Sequence, residues 1–423
     1  MLAEILLTAQ AVRLTKRYLA FRPAEAGLYP APHPESEYLL YIHIPFCEEL
    51  CPFCSFVRVK FEASAASDYF ASLKKEIQAC CDSGFRFSAV YIGGGTPTIW
   101  PEKLAEVVDL TRRLWPIRQL SVETNPNHLA GNALSVLGDI GTNRLSVGVQ
   151  SFDDAILEDV RRRHKYGSAD TIRDRVAAVI GKFDTVNIDM IFNLPGQDEA
   201  KLAGDIKSAA ELAADQVTWY PLMLSETKKR QLGGTAEVDF ARERRMYEMI
   251  VDGLAEAYRQ ESIWCFSKKA GLIDEYPVSH EEYIGTGPGA LSYINGSLYV
   301  NAFSIPDYMN RVAQEGFSPA MVRTFTRAAQ MRFDMALRLL GGKMDIGAMQ
   351  ARHGRFWRTV WPEMLFLLST RAATVRNGHV VLTRKGRYYW LVIMRTLFSS
   401  LGEYRDKHLT REAPGRTAQT ALF

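Results

Sequence analysis

The sequence has no uninterrupted apolar run of the roughly 18 residues that spanning a bilayer requires. Even RYYWLVIMRTLF near the C-terminus is cut by Arg395. It has no lysine-rich or arginine-rich block interleaved with aromatics, and its formal net charge is only +3 over 423 residues. That balance excludes the extended basic face of a nucleic-acid binder. No export signal is expected either, because Glu4, Gln10, Arg13, Lys16 and Arg17 interrupt MLAEILLTAQAVRLTKRYLAFRP wherever an apolar core would stand. This segment predicts an amphipathic helix. Cysteine is scarce, at six residues, and three of these fall within eight positions. Such clustering excludes a disulfide framework and suits a metal site in a reducing cytoplasm. Internal repeats and low-complexity stretches are missing as well.

What is present suffices for a large core. Hydrophobic residues make up 47% and charged residues 23%, as in an ordinary globular chain. The length suits one large α/β unit with an appended domain. Short β-rich runs recur at Tyr38 to Ile44, Ala89 to Ile92, Gln119 to Val122, Arg144 to Val149, Thr185 to Met190 and Gln216 to Tyr220. Helical spacing fills the intervals, as in Asp68 to Cys80 and Lys103 to Leu114. This alternation describes successive βα units on a parallel sheet, closed or partly closed as a barrel. The expected fold class is therefore α/β, a partial (β/α)6 TIM-type barrel with a mainly helical C-terminal domain. The expected division is a helical N-terminal extension over 1–37, the barrel with a Gly-rich stretch over 38–306, and a helical, winged-helix-like domain over 307–423. Within the last, Asn377 to Thr383 reads as a hairpin led into by an Asn-Gly turn, and a long helix starts at Lys385.

Residues with chemistry stand at the strand ends, where the loops of a βα barrel converge on one mouth. Directly after the first strand, YIHIPFCEELCPFCSF (Tyr41 to Phe56) spaces Cys47, Cys51 and Cys54 as C-x3-C-x2-C. Three thiolates leave one iron of a four-iron cluster open, since such clusters normally take four protein ligands. Zinc is the competing reading, but it asks for four tetrahedral ligands, and His43 stands before the loop in an alternating strand. Pro45 and Pro52 stiffen the loop, while Phe46, Phe53 and Phe56 read either as a shield against water or as plain core. After the second strand, YIGGGTPT sets Gly93, Gly94, Gly95 and Thr96 where backbone can approach a ligand closely. Glu123 in SVETNP, Gln150 in RLSVGVQSF and Asp189 in NIDMIFNLPGQ end the next three strands, and such polar groups demand partners if buried. The densest basic run, RRRHK from Arg161 to Lys165, is either a solvated helix end or an anion site. Gly285, Gly287 and Gly289 in GTGPGALSYING lack the strand-helix context of a dinucleotide fingerprint. Cys80, Cys81 and Cys265 are not assigned as ligands.

The cysteine spacing resembles the signature of radical S-adenosylmethionine enzymes. The longer string YIHIPFC followed by CPFC is similar to the oxygen-independent coproporphyrinogen III dehydrogenase subfamily, over about Tyr38 to Lys407. This resemblance implies a 4Fe-4S cluster on Cys47, Cys51 and Cys54, with S-adenosyl-L-methionine chelating the open iron. It also implies one-electron cleavage of that cosubstrate to methionine and a 5'-deoxyadenosyl radical. By the same match Gly93, Gly94, Gly95 and Thr96 hold the methionine amino group, Glu123 the ribose hydroxyls, and Arg162 the methionine carboxylate. Tyr41, Gln150 and Asp189 are counted among the cosubstrate contacts. Gly285, Gly287 and Gly289 line a second ligand position, which holds another S-adenosylmethionine in some members and a tetrapyrrole in others. A small-molecule substrate, an electron donor such as flavodoxin or ferredoxin, and a monomeric state are expected.

Three activities follow from the resemblance. The first, and the expected one, is oxidative decarboxylation of porphyrinogen propionate side chains. The second is methyl transfer or cyclopropanation on a heterocycle with two S-adenosylmethionines, and the third is haem binding by a chaperone. Against the first, the dehydrogenases resemble CxFCxC, and the position of the further cysteine is Phe56 here. In its favour, LTRKGRYYW followed by a long helix is similar to their C-terminal domain. The chaperone relatives carry a histidine in a motif like GRxH, and RRRHKYG offers His164.

Overall fold

Six apolar runs form β1 (Tyr38–Ile44), β2 (Phe87–Gly94), β3 (Gln119–Thr124), β4 (Arg144–Gln150), β5 (Thr185–Phe192) and β6 (Gln216–Pro221) in the computed structural model. The structure describes residues 2–25, 31–33, 36–231, 238–270, 277 and 280–412. The six strands pair in chain order, all in parallel. Parallel neighbours need a crossover, usually a helix. Here Ala63–Asp82, Pro101–Leu114, Gly131–Asp139, Ala169–Ala177 and Glu199–Leu212 lie between successive strands. Leu73 and Ile77 of the first helix and Leu104, Val107 and Val108 of the second share one core with Leu40, Ile42, Val90, Ile92 and Val122. β1 is buried on both faces except at Tyr41, which is why its sequence is nearly continuous in apolar residues.

The parallel run is bounded by further strands. Beyond β6 lies antiparallel β7 (Cys265–Ser267). Beyond β1 comes β8 (Tyr283–Thr286), parallel to it, followed by antiparallel β9 (Leu291–Ile294), β10 (Ser297–Asn301) and β11 (Pro319–Thr324). GTGPGALSYING, expected as a Gly-rich loop, is thus strand, turn and strand. Tyr283, Ile284, Tyr293 and Ile294 bury there, and Asn295-Gly296, with φ of 48 and 69, closes the β9–β10 hairpin. β11 places a strand of the main sheet within 307–423, the segment read as mainly helical, and Arg22–Pro23 pairs with it.

The rest of the C-terminal part is helical around a small sheet. Lys343–Asp345 pairs with a hairpin of Ala373–Arg376 and His379–Leu382. Asn377 and Gly378, with φ of 48 and 75, form the turn at its tip, so one strand precedes them rather than both following. The helix Arg384–Glu412 closes this part and packs on the N-terminal helix Leu2–Tyr18. Among the described residues no helix is long and apolar enough to cross a membrane.

Candidate functional site

The cysteine loop is pinned at both ends. After Pro45, Phe46–Cys47 pairs in parallel with Val59–Lys60, and the Val59 and Phe61 amides donate to the carbonyls of Pro45 and Cys47. Phe46 is fully buried, with its ring centroid 5.3 Å from Tyr69 and 6.1 Å from Phe61. Cys47, the next residue, is therefore held in the core at 7% exposure. Cys51 and Cys54 are half-buried, joined by a turn in which the Cys54 amide donates to the Cys51 carbonyl at 3.3 Å. Phe53 packs on Ile156, Val160 and Leu194, whereas Phe56 is 61% exposed. Phe46 and Phe53 are core, and Phe56 faces solvent.

Two buried guanidinium groups face this loop. Arg58 donates to the Cys51 carbonyl and, at 3.2 Å, to that of Cys54. Arg162 donates to Asn125 Oδ1 at 3.0 Å and to the Gly148 carbonyl, stands 3.5 Å from Cys51 Sγ, and lies 4.0 Å over the Tyr166 ring. Among the described residues neither forms an ion pair with a carboxylate. Buried charge of one sign calls for the other sign nearby, and the thiols supply it when ionised. Burial pulls the Cys54 thiol up, but the Arg58 charge and the Phe56 amide outweigh it, leaving the group below its ordinary value. Cys47, more enclosed, is pushed up to about 12 by burial, although Thr96 Oγ1 sits 3.6 Å from its sulfur. Three thiols facing buried cations form a donor set that fits an anionic iron–sulfur cluster, in which each thiolate takes its own iron. Among the described residues no three His, Cys, Asp or Glu side chains converge as they would on a single ion.

The Gly-rich end of β2, with Gly95 just beyond it, lies against the start of this loop. A Cβ on Gly93 would stand 2.8 Å from the Glu123 carboxylate, one on Gly94 2.7 Å from the His43 ring, and one on Gly95 2.6 Å from the Phe46 carbonyl. Without side chains here, Glu123 accepts from Tyr91 at 3.0 Å and from the Gly94 amide at 3.1 Å. Burial, with the nearby Glu123 charge, raises the Tyr41 hydroxyl, which bonds His43 Nδ1 at 2.9 Å. His43 Nε2 is 2.7 Å from the Val57 carbonyl, and burial lowers the ring to about 4. The ring is thus neutral at pH 7, and the hydrogen-bond pattern assigns the proton to Nε2. Thr96 also accepts from Asn125 at 2.8 Å. Cys47, Thr96, Asn125, Arg162 and Cys51 therefore form one circuit that leaves the cysteine loop and returns to it.

The other expected residues are placed as follows. Gln150 has a φ of 79, and its Nε2 would lie 3.0 Å from a Cβ on Gly148, the residue whose carbonyl Arg162 holds. Asp189 accepts from Ser146 at 2.8 Å and from Asn187 at 2.9 Å, within a polar file across β4 and β5. Gly285, Gly287 and Gly289 pack on the far side of β1, where added Cβ atoms would meet the Leu291 carbonyl at 2.4 Å, the His43 carbonyl at 2.5 Å and Val57 at 2.5 Å. Protein atoms use the space those glycines leave. The basic run divides: Arg162 and Lys165, three apart on one face, turn inward, while Arg161, Arg163 and His164 are exposed.

Residues the sequence did not single out complete the site. Arg58 and Asn125 hold the thiols' surroundings, as above. Glu48, inside the cysteine motif, accepts from His128 at 3.2 Å and Asn127 at 3.1 Å and pairs with Lys165. Burial opposes its charge, but the His128 and Lys165 bonds hold its carboxyl down at about 2. Glu76 is fully buried behind the stretch from Gly285. It accepts from the Gly287 amide at 2.9 Å, Tyr308 at 2.9 Å, the Ser318 amide at 3.1 Å and the Ser318 hydroxyl at 2.6 Å.

Burial raises Glu76 from 4.5 to about 7 despite those donors. Because the folded-state value lies above the unfolded one, the folded chain holds the proton that the unfolded chain has lost. The stabilisation this group gives is complete below about 4.5 and is lost as pH rises through about 7. Glu76→Gln is expected to cost about 1–3 kcal/mol, because its amide faces the Gly287 donor, and to flatten the fall in Tm between pH 5 and pH 8 (~4 to 8 spans the window). An unchanged pH slope in that variant would remove Glu76 as its source.

A family model of the Radical SAM superfamily matches residues 41–209. The chain is 32% identical over 368 residues to the heme chaperone HemW of Bacillus subtilis, covering 82% of this chain and 95% of that protein. It is 30% identical over 318 residues to the anaerobilin synthase of Escherichia coli O157:H7, covering 70% and 69%. Among solved structures, the coproporphyrinogen III oxidase HemN of Escherichia coli aligns with a TM-score of 0.73 over 91% of this chain and 98% of that one, at 22% identity. That likeness is one of fold, a mixed α/β structure with a parallel core and C-terminal helices, as the alternation of strands and helices predicts.

Proposed function

We propose, from the premise that the chain belongs to the radical SAM superfamily and its group of coproporphyrinogen III oxidases and haem chaperones, that it binds haem beside a 4Fe-4S cluster. Phe56 carries this reading. It is 61% exposed on the cysteine loop, at the position where the dehydrogenases it resembles place a further cysteine. A solvent-facing aromatic ring beside the cluster suits the flat apolar face of a macrocycle. The 32% identity with a heme chaperone points the same way, and His164, exposed in the basic run, is the candidate axial ligand.

In this reading Cys47, Cys51 and Cys54 hold the cluster, and the segment Gly93 to Thr96 with Tyr41, Glu123, Gln150, Arg162 and Asp189 holds S-adenosylmethionine. Together the two groups supply a 5'-deoxyadenosyl radical when an external donor delivers one electron. The chain's own part is electrostatic and steric. Arg58 and Arg162 offset the thiolates' charge, Glu123 offers acceptor oxygens, and Phe46 and Phe53 keep water from the sulfurs.

A second reading, porphyrinogen decarboxylation, draws support from the C-terminal hairpin followed by a long helix, an order similar to the dehydrogenases' own C-terminal domain. Anaerobic reconstitution separates the two. The expected result is stoichiometric haem uptake, followed by absorbance, with no carbon dioxide from coproporphyrinogen III. Carbon dioxide release would establish the second reading instead. S-adenosylhomocysteine formed beside 5'-deoxyadenosine would point to methyl transfer, and failure to take up haem would end the chaperone reading.

A further inference from the structure

The helix Arg384–Glu412 reaches the cysteine loop near its own end. Arg405 and Asp406 are only 7% and 3% exposed. Arg405 donates to the Ser55 carbonyl, between Cys54 and Phe56, and through Nε to Asp406 at 3.0 Å. Asp406 accepts from Ser225 at 2.6 Å, in the segment after β6. Ser55 in turn donates its hydroxyl to the Met223 carbonyl at 3.0 Å, and the Glu226 amide donates to Glu403 at 3.0 Å. The helix backbone lies against the loop as well, since a Cβ on Gly402 would stand in ordinary contact, 3.7 Å, with Ser55 and Ser225. Three segments distant in sequence thus meet around one residue of the cysteine loop.

We infer that Arg405 is a positioning residue for the cluster, fixing the Ser55 carbonyl and turning the positive end of the buried Arg405–Asp406 pair toward the cysteine loop, which makes the bound cluster easier to reduce. The inference rests on Cys47, Cys51 and Cys54 as cluster ligands and gives the C-terminal helix a part in the redox chemistry. An added electron is stabilised by nearby positive charge in a medium of low polarity, and cluster potentials follow net charge, hydrogen bonding and exposure. Asp406 and Ser225 hold the guanidinium toward the loop. Removing Arg405 alone would strand the Asp406 carboxylate, so the neutral test variant changes both residues.

Three full-length proteins are compared after anaerobic reconstitution: the natural chain, Arg405→Lys, and the double variant Arg405→Met with Asp406→Asn. The readouts are the cluster's midpoint potential and, in the iron-free protein, amide hydrogen exchange of a peptide covering Ser55 to Phe61. The double variant is expected to show a more negative potential and about tenfold faster exchange in that peptide, with a β3 peptide unchanged. Arg405→Lys is expected to recover the potential but not the protection, because an ammonium keeps the charge and loses the fork. Unchanged potential in a folded double variant would overturn the inference, whether exchange is unaltered or faster throughout, since the pair would then serve only to dock the helix. A natural chain that takes up no iron would overturn both the cluster assignment and this inference. Iron uptake with no haem uptake would sink only the chaperone reading.

Discussion

Replacing Cys51 with Ala is expected to leave a folded protein that retains no cluster and forms 5'-deoxyadenosine only at background. Cys51 is half-buried on a loop whose ends are tied by the Phe46–Cys47 and Val59–Lys60 pairing. Losing its thiol therefore costs little stability, within about 0.5 kcal/mol for a site of this kind. Two thiols remain, too few to hold a four-iron cluster that already leaves one iron to an outside ligand. Arg162 loses one partner but keeps Asn125 and the Gly148 carbonyl. Cys80→Ala is the contrasting control. Cys80 is fully buried among apolar side chains, and burial keeps its thiol well above the ordinary value. That variant is expected to lose about 1 kcal/mol and to keep its iron. Iron at the natural level in Cys51→Ala, or iron lost from Cys80→Ala with the fold intact, would reverse the assignment.

Gly95→Ala is expected to have the next largest effect, lowering Tm and cluster content together. Its added Cβ would stand 2.6 Å from the Phe46 carbonyl and 3.0 Å from that of Ile44. Both are backbone atoms and cannot rotate away. The Gly95 amide donates to Ile44 and the Thr96 amide to Phe46, at 2.7 and 2.8 Å, so relief of the clash moves the residue next to Cys47. Overpacking of this kind costs about 1–3 kcal/mol, and here the strain is delivered to the cysteine loop itself. Gly93→Ala presses instead on the Glu123 carboxylate, a side chain that can turn, and should be milder on Tm and iron. Melting curves and iron analysis on both variants test the order. Equal behaviour would show that the glycine turn does not brace the loop.

The six parallel strands are legible because each carries a short run of buried, β-rich residues and is separated from the next by a helix with a clear buried stripe. The bounds of β1 match the reading, while those of β2 to β6 run one or two residues further; at β3 and β4 this is because Glu123 and Gln150 break the apolar pattern where the strands enter the site. The strands β8 to β11, added beyond β1, are not legible. Gly285, Gly287 and Gly289 look like loop residues in one dimension, and only the approach of His43, Val57 and Leu291 shows why strand and turn need them. The cysteines announced themselves by spacing. Arg58, Asn125 and Arg405 did not, because Arg58 and Arg405 act through backbone carbonyls and Asn125 through the Thr96 hydroxyl and the Arg162 guanidinium. No period or motif records such a partner. Arg162 and Lys165 were visible as charge, but which members of the basic run turn inward depends on the short helix Arg163–Tyr166.

The contact between Ser55 and Arg405 spans 350 positions, and that separation has a consequence for the order of assembly. At ordinary rates of translation, roughly 20 to 70 s pass between the synthesis of these two residues. Throughout that interval the cysteines have left the ribosome's active centre while the wall supplied by the helix Arg384–Glu412 does not yet exist. The nascent chain thus offers its thiols from a half-built vessel, open on the side that this helix closes in the finished protein.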